Sequence, residues 1–169
     1  MIFIDGGNLY HGLKHNTQTT ALDYEKFAQM LCGDRMLTRV RFYHVMPDQS
    51  RDLEGYRKQR VFLAYLEKIP YVSACLGHLV SRGCGQIEKG VDVALAVDMV
   101  RMAATNAYDT AVLVSGDGDF GPAVTAVQDT FGKHVENAYF SRGSSHRLRQ
   151  LADRFVRLDR SSLRGCLKE

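Results

Sequence analysis

Short apolar runs that alternate with longer helical stretches constrain the fold of this chain more than any other feature of its sequence. Each run has the length of a buried strand, and the stretches between them carry apolar residues near the 3.6-residue helical period. Because right-handed crossovers lay a helix over the sheet after each strand, the alternation predicts a parallel sheet covered on both faces. The predicted strands cover residues 2–4, 40–45, 71–76, 111–114 and, more weakly, 134–140.

Helices are predicted between and after these strands. Asp23 is placed to cap the first, which ends at Gly33, a residue that tolerates the left-handed conformation. Ser144 or Ser145 is placed to cap the last, which runs through Ala152. The glycine-containing stretch 81–85 is predicted to be a mobile loop. The remaining helices are predicted from Ser50 through Ile69, at 92–104 and at 121–131.

A length of 169 residues has room for one α/β domain with a proper core and not for a second full domain. We predict a single domain over residues 1–160 and a short basic tail over 161–169. No apolar run reaches the roughly 20 residues that cross a bilayer, and the first residues lack the basic start of a signal peptide. These patterns predict a cytoplasmic protein with no membrane partner, whose scattered cysteines stay reduced.

The net charge of +3 is divided unevenly along the chain. Residues 142–169 carry eight Lys/Arg against three Asp/Glu, a balance of +5, which leaves −2 for the rest of the chain. A basic end on a slightly acidic body is typical of proteins that bind a polyanion, although such charges also serve simply to solvate a helix surface. Charge alone does not separate these two interpretations.

The first acidic motif, residues 4–8 (IDGGN), directly follows the end of a predicted strand. A carboxylate at this position is costly to bury unpaired, so Asp5 is expected at an open end of the sheet or beside a cation. Two glycines, Gly6 and Gly7, permit a tight turn and leave room for a ligand. Asn8 both donates and accepts hydrogen bonds, so it could hold a carboxylate or a metal-bound water.

The second acidic motif, residues 114–120 (VSGDGDF), also follows a buried strand. Asp117 and Asp119 could simply form an Asx turn or cap the next helix, and Ser115 could hydrogen-bond to either of them. If the two strands are neighbours at the point where the strand order reverses, however, the carboxylates of both motifs converge at one edge of the sheet. The sequence therefore predicts an acidic site at that edge.

A third acid, Asp92, opens a helix that is otherwise apolar. Its position alone favours a role at the helix N-terminus. Asp98 follows on the same helix, about 240° around its axis, so the two carboxylates do not share a face. His11 and His15 are spaced to face one metal on a helix, but no third convergent ligand accompanies them in the sequence.

The types of side chain in these motifs indicate which metal they would bind. Carboxylates accompanied by Asn and Ser, without Cys or His, favour hard cations such as Mg²⁺ or Mn²⁺ over zinc. A cation of this kind lowers the pKa of a bound water and neutralises the charge that develops on a phosphodiester. The acidic site would hold the metal while basic side chains near the C-terminus hold backbone phosphates, a division that points to a nucleic-acid substrate.

Three segments together, residues 4–8, 88–95 (EKGVDVAL) and 114–120, resemble the motifs of the NYN-domain family, the LabA-like branch of the PIN-like nuclease superfamily. The resemblance covers nearly the whole chain in the expected order. It implies a Rossmann-like three-layer α/β/α fold with a mainly parallel sheet, and a metal-dependent ribonuclease site. By the same resemblance, the family's acids correspond to Asp5, Asp92, Asp117 and Asp119, with Asn8 as their polar companion.

The resulting prediction is a Mg²⁺- or Mn²⁺-dependent endoribonuclease that hydrolyses RNA and leaves a 5′-phosphate and a 3′-hydroxyl. Asp5, Asp92 and Asp117 would bind metal directly or through water, while Asp119 would bind a second metal or orient the attacking water. Hydrogen bonds from Asn8 and Ser115 would support these acids. The candidate phosphate contacts are Lys89, Arg142, Arg147 and Arg149, although exposed arginines are often only solvated.

The sequence also leaves other functions open. The same acids could belong to a non-catalytic regulatory module that binds RNA or a protein partner. Phosphoryl transfer through Asp5 fits less well, because a dehalogenase-type motif requires a second Asp where Gly7 stands. Metal-free cleavage needs two convergent histidines, and none of the six adjoins the acidic motifs in sequence. A homodimer is a further expectation.

Overall fold

The computed structural model describes residues 1–82 and 85–168, with side chains for all of these except 78–82 and 85–89. Gly83 and Cys84, within the loop predicted at 81–85, lie outside the described residues. No helix of the described chain is both long and apolar enough to cross a membrane. The strands are β1 (Ile2–Asp5), β2 (Val40–Val45), β3 (Val72–Arg82), β4 (Gly85–Lys89), β5 (Thr110–Val114), β6 (His134–Phe140) and β7 (Arg154–Leu158). The helices are α1 (Gly6–Thr17), α2 (Tyr24–Cys32), α3 (Leu53–Leu66), α4 (Val91–Ala104), α5 (Gly121–Phe131) and α6 (His146–Leu151), with a short 3-10 turn at Gly118–Phe120.

The strands of the described chain form one sheet in the order β4-β3-β2-β1-β5-β6-β7. Six of them run parallel, and β4 alone is antiparallel to its neighbour. The chain builds outward from β1 to β3 and then returns with β5 to the other side of β1, so the strand order reverses between β1 and β5. This topology confirms the predicted mainly parallel sheet and the three-layer α/β/α fold of PIN-like proteins.

The antiparallel strand β4 forms a hairpin with the second half of β3. β3 pairs with β2 only from Val72 to Gly77, and from His78 onward it pairs with β4 instead. His78 lies opposite Lys89, so the chain returns to the level at which it left the sheet. The hairpin therefore extends past the carboxyl end of β2, and the chain returns to that end before α4 begins.

An apolar layer covers each face of the sheet. Successive side chains of a strand point to opposite faces, so those of β1 enter the two layers in turn. Ile2 and Ile4 pack with residues of α1, α2 and α3, whereas Phe3 packs with residues of α4, α5 and α6. These three apolar side chains of β1 are almost completely buried. This packing on both faces determines where the ends of β1 and β5 lie.

Several helix boundaries follow the predicted signals. Asp23 caps α2 by accepting a hydrogen bond from the Lys26 N–H at 3.1 Å. Ser145 caps α6 by accepting one from the Arg147 N–H at 3.2 Å. Helix α5 spans the predicted residues 121–131. Side-chain caps thus mark the starts of α2 and α6.

A helix, α1, begins where the sequence predicted a tight turn. β1 ends at Asp5 and α1 starts at Gly6 without an intervening loop. A Cβ on Gly6 would lie 2.7 Å from the Tyr43 carbonyl oxygen, and one on Gly12 would collide with the Phe140 ring. These glycines therefore allow α1 to pack closely on the sheet, and that packing outweighs their poor helix propensity.

The C-terminal residues 161–168, predicted as a basic tail, pack against the domain as a series of turns. Leu163 and Cys166 are buried in the core layer that contains α1, α2 and α3. The Lys168 N–H donates a hydrogen bond to the Ala21 carbonyl at 2.9 Å. Part of the basic end of the chain is therefore attached to the body of the domain.

Candidate active site

Asp5 and Ser115 lie side by side at the carboxyl edge of the sheet. Ile4 is level with Val114 in the parallel register of β1 and β5, so the next residue of each segment emerges at the same edge. The Ser115 hydroxyl donates a hydrogen bond to Asp5 Oδ2 at 3.0 Å, and its oxygen accepts one from the Asp117 N–H at 3.1 Å. Ser115 therefore links the two acidic motifs directly.

Asn8 joins the same two motifs from the first turn of α1. Its backbone N–H donates to Asp5 Oδ1 at 3.0 Å, which makes Asp5 the N-cap of α1. Its side-chain Oδ1 accepts a hydrogen bond from the Gly116 N–H at 2.9 Å. The polar companion of the acids thus holds the start of α1 against the loop that follows β5.

The Asp5 carboxylate lies in surroundings that disfavour its charge. Only 9% of the residue is exposed, and this burial raises the pKa of the carboxyl group above its usual value. The hydrogen bonds from Asn8 and Ser115 oppose that shift, while the nearby charge of Asp117 adds to it. Among the described side chains, no Lys or Arg forms an ion pair with Asp5, so a cation that reached the site would stabilise it.

Asp117 and Asp119 lie in the loop after β5. Asp117 caps the 3-10 turn, and its Oδ1 accepts a hydrogen bond from the Asp119 N–H at 3.0 Å. The Asx-turn role considered from the sequence is therefore present. Asp117 is half-buried and its charge acts on Asp5, whereas Asp119 is exposed. Of the two, Asp117 is the better placed to share a ligand with Asp5.

Asp92 approaches the acidic site from the first turn of α4. The N-cap of that helix is Gly90, in the left-handed conformation and without a side-chain cap, so Asp92 is not the capping residue. Asp92 lines a cavity of about 80 Å³ together with Asp5, Gly7 and His44. The fold thus brings a second carboxylate to the opening beside Asp5.

The site offers oxygen ligands to a metal without forming a complete cage. Within the described residues, no three His, Cys, Asp or Glu side chains are grouped closely enough to hold one ion. The charge of Asp117 acts on Asp5, and Asp92 lines the same cavity as Asp5, so the predicted set of acids is brought together only in part. This donor set fits Mg²⁺, which usually keeps several waters and takes only one or two carboxylates.

Two of the predicted phosphate-binding arginines lie on a segment that packs against the second acidic motif. A Cβ on Gly116 would collide with the backbone at Gly143, which shows how closely the two segments approach. Arg142 immediately precedes Gly143. The Arg147 Nε lies 3.1 Å from where a Cβ on Gly121 would be, at the start of α5. Both arginines are exposed beside the acidic loop, where they are available to a phosphate.

The other two predicted phosphate contacts differ from these. The Arg149 guanidinium lies 5.6 Å from the centre of the Tyr139 ring, and its Nε is buried without a hydrogen-bond partner among the described residues. Its planar group is therefore engaged with β6. Lys89 ends β4, and its side chain lies outside the part of the chain that is described.

Asp98, further along α4, belongs to a separate network. Arg41 and the Tyr43 hydroxyl donate to Asp98 Oδ2 at 2.5 and 2.8 Å. Arg101 donates to Asp98 Oδ1 at 2.8 Å. These contacts tie α4 to β2 and keep Asp98 apart from the cavity that Asp92 lines, in agreement with the predicted helical spacing.

Two residues at the site were not predicted from the sequence. Asn137 on β6 is buried and donates from Nδ2 to the Leu113 and Ser115 carbonyls, at 3.1 and 2.8 Å. It fixes the end of β5, and its only sequence signal is a polar residue within a strand. His44, on β2, lines the cavity beside Asp5, so a histidine adjoins the acids in space although none does in sequence.

Comparison with known proteins shows which family and which solved structure the whole chain resembles. The family model of the NYN domain matches residues 1–159. The crystal structure of a Vibrio parahaemolyticus protein of unknown function superimposes with a TM-score of 0.77. Its sequence is 26% identical, and the match covers 94% of this chain and 91% of that one. No curated protein matches this chain.

Proposed function

The chain belongs to the NYN domain family, and from this premise we propose that it is an endoribonuclease dependent on Mg²⁺ or Mn²⁺. The family has the PIN-like nuclease fold, for which RNA is the expected substrate. Hydrolysis would leave a 5′-phosphate and a 3′-hydroxyl. We also assign the chain to the LabA-like branch on its three motifs, while a cytoplasmic location stays a prediction.

This proposal rests on one observation, the surroundings of the Asp5 carboxylate. Its two oxygens accept hydrogen bonds from neutral donors, and it is nine-tenths buried. Its charged neighbours are the acids Asp117 and Asp92, with no cation paired to it among the described side chains. A buried charge in this state costs folding free energy unless a ligand supplies the opposite charge, so the arrangement favours cation binding.

The acids would share the work of holding the cation. We propose that Asp5, Asp92 and Asp117 hold it directly or through water, and that Asp119 binds a second ion or orients the attacking water. A cation bound there would supply a water of lowered pKa and would neutralise charge on the phosphodiester. Ser115 would keep the acids of the two motifs in register through its hydrogen bonds.

The polar and basic residues around the acids would position the substrate. Asn8 holds α1 against the loop after β5, and it would thereby keep Asp5 facing the cavity. Arg142 and Arg147 would hold backbone phosphates at the edge of the site. Because these contacts are electrostatic, RNA binding should weaken as the salt concentration rises.

Cleavage of end-labelled single-stranded RNA in Mg²⁺ or Mn²⁺ tests this function. We expect Asp5→Asn and Asp117→Asn to reduce the rate on the order of 10²–10³-fold while the protein stays folded. The matched control is Asp129→Asn, which changes an exposed acid on α5 and should leave the rate unchanged.

Two outcomes would contradict the proposal. Cleavage by both site variants that persists in EDTA would exclude the metal mechanism. Salt-sensitive RNA binding without product, across metals and substrates, would instead support a non-catalytic RNA-binding or regulatory module on the same fold.

A further inference from the structure

A second cavity, of about 320 Å³, adjoins the acidic one. The two cavities share Gly7 and His44 among their lining residues. The second lies between α1, α2, α3 and β2, and its size is at the lower end of ligand pockets, which span roughly 300–1,000 Å³. A group bound in it would therefore lie immediately beside the acids.

Aromatic rings form the walls of this second cavity. Tyr24, Phe42 and Phe62 lie with their ring centres 5.5–5.7 Å apart, and the His44 ring is 6.1 Å from Phe42. Tyr10 on α1 lines the same cavity and is half exposed. Surfaces of this kind stack the splayed bases of single-stranded RNA.

The second cavity also differs in charge from the acidic one. No Lys, Arg, Asp or Glu is among the described residues that line it, whereas Asp5 and Asp92 line its neighbour. A phosphodiester and its metal suit the acidic cavity, and an uncharged planar group suits the aromatic one. One nucleotide of RNA carries both kinds of group.

Gln59 on α3 gives the aromatic cavity a polar edge. Its Oε1 is buried and accepts no hydrogen bond from the described residues, which is unusual for a buried acceptor. The terminal torsion of a glutamine side chain is soft, so a small rotation would present this oxygen to the cavity. A base brings N–H donors on its Watson–Crick edge that would satisfy it.

We propose that the aromatic cavity binds one base of single-stranded RNA next to the phosphodiester at the acidic site. The proposal rests on the ribonuclease function above, because it specifies how that substrate is held. The base stacks on Tyr10, whose ring is half exposed, while Gln59 accepts a hydrogen bond from its edge. The backbone passes Gly7, where a Cβ would lie 3.6 Å from Asp5 Oδ1 and a longer side chain would narrow the passage between the cavities.

The first test measures RNA binding in the Asp5→Asn protein, in which cleavage is expected to be slow. The probes are a labelled single-stranded RNA and an abasic ribose-phosphate strand of the same length. We expect the bases to tighten binding about tenfold, and Tyr10→Ala to remove most of that advantage while Tyr10→Phe keeps it. Phe155→Ala on β7 is the matched control, because Phe155 is 51% exposed and Tyr10 50%.

The second test uses turnover by the protein with Asp5 intact. One nucleotide of the RNA is made abasic, at each position in turn. We expect cleavage of the bond beside that nucleotide to fall about tenfold, and Tyr10→Ala to abolish the difference between intact and abasic RNA.

The two tests separate failure of the pocket from failure of the ribonuclease function. If Tyr10→Ala removes base-dependent binding but the wild-type protein cleaves no RNA, the pocket is supported and only the ribonuclease function is overturned. Two results together would overturn the pocket and leave the ribonuclease function in place. The cleavage rate would be the same in intact and abasic RNA, and Tyr10→Ala and Phe155→Ala would change RNA binding equally.

Discussion

Two buried carboxylates of the same sheet, Asp5 and Glu136, have opposite kinds of partner. Glu136 is 3% exposed and accepts two hydrogen bonds from the Arg35 guanidinium at 2.9 and 3.0 Å, with Arg154 at 3.4 Å. Asp5 is 9% exposed and has neutral donors and acidic neighbours. Their burial is similar, so the difference lies in what neutralises each charge.

The difference separates a carboxylate that the fold neutralises with arginines from one for which we propose a bound cation. Glu136 is level with Ile2, near the amino edge of the sheet, and its ion pairs tie β6 to the turn after α2 and to β7. Asp5 is at the carboxyl edge, where doubly wound sheets place their sites. The proposed cation site rests on this acid, which the described chain does not neutralise.

Breaking the ion pairs of Glu136 should give the largest change in stability. Glu136→Gln leaves Arg35 and Arg154 without their partner, and both arginines are partly exposed. We therefore expect the free energy of unfolding to fall by roughly 2–3 kcal/mol, measured by urea unfolding at neutral pH. The matched change, Asp5→Asn, should leave that free energy unchanged or raise it. Equal losses of unfolding free energy in the two variants would contradict the proposed difference between Glu136 and Asp5.

A similar contrast within α4 should be smaller. Asp98→Asn weakens the hydrogen bonds from Arg41 and Arg101, so we expect a loss of about 1–2 kcal/mol in the free energy of unfolding. Asp92→Asn changes an exposed acid near the helix N-terminus and should cost less than about 1 kcal/mol, yet it should slow RNA cleavage. The reverse pattern, with activity lost only in Asp98→Asn, would contradict the assignment.

The smallest effect should be the pH dependence that Asp5 contributes. Burial raises the pKa of Asp5 in the folded protein above its unfolded value, so its contribution favours folding at low pH and is lost as the pH rises through the raised pKa. The Asn variant does not titrate there, so its Tm should gain on that of the wild type between about pH 4 and pH 7. Thermal unfolding across this range would contradict the expectation if the gap narrowed instead.

Adding a divalent cation should reverse the order of the Tm values of the wild type and Asp5→Asn at neutral pH. A metal that binds the folded wild type stabilises it in proportion to the logarithm of the metal concentration, once that concentration exceeds Kd. We expect Mn²⁺ at neutral pH to raise the Tm of the wild type and to leave that of Asp5→Asn nearly unchanged. EDTA should restore the order seen without metal, and equal Mn²⁺ effects on both proteins would indicate binding elsewhere.

Much of the fold could be predicted because its elements carry local signals. The strands at 40–45 and 134–140 have the predicted bounds, and so does the helix at 121–131. Helix α1 could not be predicted, because Gly6 is a poor helix former whose role depends on close contact with β2. β7 was not predicted: it pairs with β6 at the edge of the described sheet and carries no distinct apolar run.

The centre of the candidate site was more accessible to sequence reasoning than its margins. Asp5 ends one strand, and Ser115 and Asp117 follow another, and the parallel arrangement brings such positions to one edge. Asp92 required the family resemblance, because its position alone favoured a role at a helix end. His44 could not be predicted, since the cavities it lines are assembled from elements far apart in the sequence.

The β3–β4 hairpin gives the protein a modular segment beside the acidic edge of the sheet. Its two ends lie opposite each other, His78 against Lys89, so the chain leaves and re-enters the β3–α4 connection at nearly one point. A segment closed in this way can change in length with little effect on the elements that flank it. Insertions or deletions in the hairpin would therefore alter the surface beside the acidic edge while Asp5 on β1 and Asp92 on α4 keep their places.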